Sequence, residues 1–297
     1  MRIRTRLAQV VGVTAVAALT LTACGSGSSV PAEGKPSIVA STDVYGAIAK
    51  AVAGDHAIVT SLFSNPTGDP HEFEPSAQDT LTVKKAAVLV YNGDHYDAYM
   101  DKASEGASGT KVEAVSEQSP KGENEHVFYD LPTMGKVATA IAKALSDKDS
   151  ANRADYEAKA TEFNSRLDGV IGQAREIGRA NPGAKVAATE PVAGYLLALA
   201  GLTDATPARF TAAIESGTDP APADIATATA LVTGKQVRAV VLNVQTESAV
   251  TNAFANAAQS AGVPVVKITE TLPAGVDDYV AWQSKNVTQL ADALKTR

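Results

Sequence analysis

Two stretches of this chain, about 150 residues apart, repeat the same order of strand, turn and helix signals. Val39-Ala40-Ser41-Thr42-Asp43 closes an apolar strand and leads into a helical pattern over Tyr45 to Ala53 that ends at Gly54. Val186-Ala187-Ala188-Thr189-Glu190 does the same, with a helical pattern over Gly194 to Ala200 ending at Gly201. In both, the glycine follows the last periodic residue, where a helix C-terminus needs a left-handed residue. The agreement continues downstream. Gly68-Asp69-Pro70 runs through Pro75, Ala77 and Asp79 into a helix and then the strand Ala87 to Asn92. Thr218-Asp219-Pro220 runs through Pro222, Ala223 and Asp224 into a helix and then the strand Ala239 to Asn243. A duplicated βαβα unit with apolar-run strands predicts parallel sheets covered by helices.

Between the copies, Tyr156, Ala160, Phe163, Leu167, Val170, Ile171, Ala174 and Ile177 recur at three- and four-residue spacing, one apolar stripe of a helix. From Ala151 to Gly178 that helix would be roughly 40 Å long at 1.5 Å per residue. Asn181-Pro182-Gly183 stops it. The expected fold is therefore α/β: two pseudo-repeated lobes with parallel sheets, over residues 37–145 and 183–297, joined by one long backbone helix within 146–182. A single helix makes a stiff hinge.

The first 23 residues read as a leader. Arg2, Arg4 and Arg6 precede an apolar run, Leu7 to Thr22, that contains no acidic residue. The run is short for a membrane span and suits a signal peptide. It ends in Leu21-Thr22-Ala23-Cys24-Gly25, which resembles the bacterial lipobox, where cleavage leaves an acylated cysteine at the new N-terminus. Cys24 is the only cysteine, so no disulfide framework and no thiolate metal site arises. Residues 24–36 are small and polar, a flexible tether. Loss of the leader removes three arginines and no acid, taking the net charge from −7 to −10. A chain this acidic lacks the basic surface that nucleic-acid binding requires. No Walker motif or nucleophile elbow is present.

Four histidines remain to be placed: His56, His71, His95 and His126. His71 lies in Asp69-Pro70-His71-Glu72-Phe73-Glu74-Pro75, beyond the second predicted strand, and His126 lies in Glu125-His126-Val127-Phe128, a loop before a helix. Ligands of open α/β sheets collect beyond the carboxyl ends of the strands. The repeat puts Glu190 at the corresponding end of the second lobe, and Glu270 follows the short strand Val265 to Ile268. Two imidazoles and two carboxylates converging from opposite lobes are a metal site by donor type. Taken singly, a loop histidine can equally stabilise a turn, and a glutamate after a strand can equally oppose a helix dipole. His95, in Asn92-Gly93-Asp94-His95-Tyr96-Asp97, is a candidate for the layer around the ligands or an exposed loop residue. His56 sits in a helix-to-strand turn as a structural residue. Tyr279, Trp282 and Asn286, at helical spacing, are expected to pack the last helix onto the second lobe.

The segments around His71 and His126, Asn92-Gly93, Ala188-Thr189-Glu190 with Tyr195, and Thr269-Glu270-Thr271 with Tyr279 and Asn286 resemble the zinc/manganese solute-binding lipoproteins of ABC importers. The resemblance runs from about Ser37 to Leu294. It implies a non-enzymatic binding protein, lipid-anchored on the extracytoplasmic face of the cell membrane and monomeric. Such a protein hands Mn2+ or Zn2+ to an ABC permease and its ATPase. It also implies His71, His126, Glu190 and Glu270 as the ligands. Two features depart from zinc-selective relatives, which often carry histidine as third ligand and a histidine-rich acidic loop. Here Glu190 takes that ligand position, and Lys121-Gly122-Glu123-Asn124-Glu125 has no histidine. Two other classes remain for comparison, a zinc metallohydrolase and a surface adhesin. A hydrolase would keep an open coordination position for water.

Overall fold

The computed structural model describes residues 34–295. The expected signal peptide, Cys24 and most of the expected tether lie outside the described residues. Two four-stranded, all-parallel sheets form the framework. The first comprises β1 (Ser37–Thr42), β2 (Ile58–Phe63), β3 (Val88–Tyr91) and β4 (Thr110–Glu113), in the order β2-β1-β3-β4. The second comprises β5 (Lys185–Ala188), β6 (Thr203–Asp204), β7 (Val240–Asn243) and β8 (Val265–Ile268), in the order β6-β5-β7-β8. The same order in both sheets is the duplication seen in the sequence. In each, the strand order reverses beside the first strand, the place where ligands of open α/β sheets collect beyond the carboxyl ends.

Central strands such as Val88–Tyr91 and Val240–Asn243 are buried at every position. They therefore need apolar side chains on both faces, which is why they read as continuous rather than alternating runs. On the outer face of the first sheet Val39, Leu89 and Met100 pack together, and on that of the second Phe210, Val240 and Phe254 do. Between the sheets one continuous core runs through both lobes, from Ile38 and Val90 through Phe128 and Phe163 to Val186, Leu196 and Trp282.

The 28-residue helix Arg153–Ala180 buries the stripe Tyr156, Ala160, Phe163, Leu167, Val170, Ile171, Ala174 and Ile177. At 1.5 Å per residue it is about 42 Å long. Its C-terminal end is docked tightly: a Cβ on Gly178 would fall 2.6 Å from the Ala200 carbonyl oxygen. Gly201, at φ +65°, lets the backbone turn under that contact.

The last helix, Tyr279–Lys295, packs on its own sheet as expected and reaches beyond it. Tyr279 donates to the Phe128 carbonyl (2.7 Å) and packs at a tilt against Phe163 of the linking helix, while Trp282 packs at a tilt against Tyr129. Asn286 Nδ2 reaches the Tyr129 hydroxyl at 3.4 Å. The stripe thus packs against the turn at Val127–Tyr129 and the linking helix, as well as its own sheet. Burying large rings needs a deep apolar wall, and the continuous core supplies it across the lobe boundary. No helix among the described residues is long and apolar enough to cross a membrane.

Candidate metal site

His71 is aimed by its local sequence. Asp69 caps the short 3-10 turn Pro70–Glu72 and accepts from the His71 backbone N–H at 2.8 Å. Pro70 sets the first turn residue's φ without wasting a donor. Phe73, packed on Phe63 and Tyr99, anchors the far side. His126 is fully buried, edge-on to the rings of Tyr96 and Phe128. Its backbone N–H donates to Asn124 Oδ1 at 3.0 Å, and its Nδ1 lies 2.9 Å from the same oxygen. Asn92 at the end of β3 holds the approach to His126, donating to the Glu125 carbonyl (2.8 Å) and accepting from Tyr45 (2.6 Å).

Glu270 follows β8. Its Oε1 accepts from Asn243 Nδ2 at 2.8 Å and its backbone N–H donates to Gln245 Oε1. Its Oε2 faces both imidazoles, 3.5 Å from His71 Nε2 and 3.4 Å from His126 Nε2. None of these three buried atoms has a hydrogen-bond partner. Burial alone would raise the Glu270 carboxyl, but His126 and His71 outweigh it and hold it well below the usual carboxylate range. Burial likewise opposes protonation of His71, but Glu270, Asp69 and Glu125 outweigh it and push the imidazole up to about 9.

The ligand-capable atoms of His71, His126 and Glu270 all lie within 4.8 Å of one another. Ligands about 2.1 Å from a tetrahedral ion stand roughly 3.4 Å apart, close to both spacings about Glu270 Oε2. Glu190, at the end of β5, is buried beside this trio but turned aside, its carboxylate accepting from the Thr246 hydroxyl. Burial, with the Glu270 charge adding to it, pushes its carboxyl up to about 7 against the hydrogen bonds from Thr246 and Asn243.

His95 lies apart from the trio. Its side chain is 92% exposed, and its nearest charged neighbour is Asp94 at 3.8 Å. His56 contacts Asp155 at 3.0 Å and the Tyr156 ring, tying its turn to the linking helix. Several site residues were not singled out in the sequence: Asn124, Asn243, Gln245, Thr246 and Glu215, whose carboxylate stands 3.7 Å from His126 Nδ1. One signal existed. Asn92 and Asn243 end the third strand of each repeat unit, and both hold the segment beside a ligand candidate. Glu215 ends the helix Ala208–Glu215 and carried no such mark.

Two repeated parallel-sheet lobes on one rigid helix, with the polar cluster between them, define a two-lobed α/β class. A sequence model of the family described as ZnuA, zinc-uptake complex component A periplasmic, matches residues 38–293, and the chain belongs to that family. The manganese ABC transporter substrate-binding lipoprotein PsaA of Streptococcus mitis is 34% identical over 169 residues, covering 50% of this chain and 54% of that protein. The chain thus matches about half the length of such curated relatives. The periplasmic zinc binding protein TroA from Treponema pallidum superposes with a TM-score of 0.73 at 17% identity, covering 88% of this chain and 99% of that one. FpvC from Pseudomonas aeruginosa, solved in complex with Mn2+, gives 0.71 at 21% identity, covering 88% and 98%. At these identities the two structures show the shared fold.

Proposed function

We propose that this protein is the extracytoplasmic solute-binding component of an ABC importer and captures a divalent transition-metal ion, Mn2+ or Zn2+, as cargo. The observation that carries the reading is the convergence of three buried, unpartnered ligand atoms from opposite lobes. Leaving such atoms without partners costs free energy, and a divalent cation removes that cost for all three at once. His71, His126 and Glu270 form the core of the ligand set. Glu190 completes it by turning from Thr246, which needs only a side-chain rotation in an already buried carboxylate. PsaA is named for manganese and a substrate-binding role, TroA for zinc, and FpvC was solved with Mn2+. The metallohydrolase and adhesin readings gain nothing from this site.

The surrounding organisation follows the same reading. Residues 1–23 are the signal peptide, Cys24 carries the lipid, and 24–36 tether the lobes 37–145 and 183–297 to the membrane. A permease and its ATPase receive the ion from a monomer. Two carboxylates with two imidazoles are a harder set than three imidazoles with one carboxylate and suit Mn2+, which we propose as the physiological cargo. Zn2+ binds at least as tightly in vitro, because raw affinity follows the Irving–Williams order. The test is twofold: titration of each ion into the purified protein, and growth under chelation of cells lacking the gene, with one metal resupplied. Absence of binding by either ion rejects the function. Rescue by zinc alone rejects manganese as the cargo.

A further inference from the structure

Two amide side chains flank the ligand trio, and their bonding is reciprocal. Asn124 belongs to the first lobe. Its Oδ1 takes the backbone N–H and Nδ1 of His126, while its Nδ2 donates 2.8 Å to the carbonyl of Pro191, next to Glu190 in the second lobe. Pro191 O can only accept, which fixes the amide with its oxygen toward the ring. The oxygen can only accept in turn, so His126 must donate from Nδ1, leaving Nε2 to face the trio. Tyr195 of the second lobe adds a bond to the Asn124 carbonyl at 2.7 Å. Gln245 belongs to the second lobe and mirrors this. Its Oε1 takes the backbone N–H of Glu270 and, at 3.3 Å, that of Thr271. Its Nε2 donates 2.9 Å to the carbonyl of Gly68, three residues before His71 in the first lobe, and 2.6 Å to the Thr271 hydroxyl of its own lobe.

We infer that Asn124 and Gln245 are a pair of positioning residues that make ligand placement conditional on lobe closure. Each grips a ligand of its own lobe with its oxygen and a main-chain carbonyl beside the opposite lobe's ligand with its nitrogen. If the lobes part, Asn124 loses the carbonyl that orients its amide and Gln245 loses one of the two acceptors that orient its own, so the grip on His126 and on the Glu270 turn loosens. The ion is therefore released by opening rather than by stretching its bonds one at a time. The stiff linking helix makes this economical, since small displacements suffice to break hydrogen bonds of 2.8–2.9 Å.

This inference rests on the metal-binding reading, so its test has one readout that needs no metal. The full-length protein has only four histidines, so ring signals in 15N-histidine NMR of the metal-free protein can be assigned by substitution. In wild type His126 should show a protected Nδ1–H. Asn124→Ala should abolish that protection. Gly194→Ala should do so without touching Asn124, because a Cβ there falls 2.7 Å from Asn124 Nδ2. Gln245→Ala should move the ring signals of His71 and His126 and leave those of His56 and His95 in place. Tyr195→Phe, which removes only a cross-lobe bond, should keep the His126 signature. The second readout is release of Mn2+ into excess chelator. All four variants should release faster, by at least ~10-fold for Asn124→Ala and Gln245→Ala, the scale of losing a group that orients a metal ligand. Wild-type ring signals in Asn124→Ala, Gly194→Ala and Gln245→Ala, or wild-type release in all four variants, would overturn the inference. If wild type holds neither Mn2+ nor Zn2+, the proposed function fails, and the ring signals alone decide the role of the amides.

Discussion

Glu270→Gln keeps the volume of the side chain and removes its charge, which isolates what that charge does in the metal-free protein. The carboxylate is 1% exposed and faces two imidazoles at 3.4 and 3.5 Å. Against burial, Glu270, with smaller help from Asp69 and Glu125, raises His71 from 6.5 to about 9, a change worth ~3.4 kcal/mol in all. His71 is the group whose folded-state value is raised. Its contribution to stability is therefore complete below pH 6.5 and is lost as pH climbs through about 9. Glu270 stays ionised across that window and adds no slope of its own. In the glutamine variant His71 keeps burial against it and only the weaker Asp69 and Glu125 charges for it, so most of the extra stabilisation at low pH disappears. Thermal melts of both proteins, metal-free, should show a gap that narrows by about 3 kcal/mol between pH 6 and pH 10. For a protein of this size that is a change of roughly 6–12 °C in the difference between their melting temperatures. A gap that stays constant over the whole range, or widens with pH, would refute the coupling between His71 and Glu270.

Alanine at His71, His126, Glu190 or Glu270 should weaken Mn2+ and Zn2+ binding at least ~10- to 100-fold in calorimetric titration, and wild-type affinity in Glu190→Ala would remove it from the ligand set. His56→Ala should leave both affinities unchanged and cost at most ~1 kcal/mol of stability, because its contact with Asp155 is solvent-exposed. Gly178→Ala should lower the melting temperature through ~1–3 kcal/mol of overpacking, since the new Cβ meets a main-chain oxygen that cannot swing away; an unchanged melt would show that the helix end is not tightly docked. Cys24→Ala should release the protein from the membrane fraction, and a variant still membrane-bound at wild-type mobility would rule out lipidation.

The architecture was legible in the sequence because its signals are local and periodic. The buried stripe of the linking helix and the apolar strands could be read from spacing alone, as strands covered on both faces cannot tolerate polar positions. The duplication placed Glu190 at the mouth of the second lobe, and the short strand before Glu270 put that residue at a strand end as well. His71 and His126 were visible as the histidines in strand-end loops. Which four side chains share a point in space was beyond local reading, since it depends on how two lobes pack through a core spanning both. Tertiary packing alone turned Glu190 toward Thr246, left His95 in solvent and set the last helix's aromatic stripe against Phe128 and Tyr129. The same holds for Asn124 and Gln245. An amide in a loop carries no periodicity, and its role exists only where carbonyls 67 and 177 residues away in the chain arrive within hydrogen-bond reach.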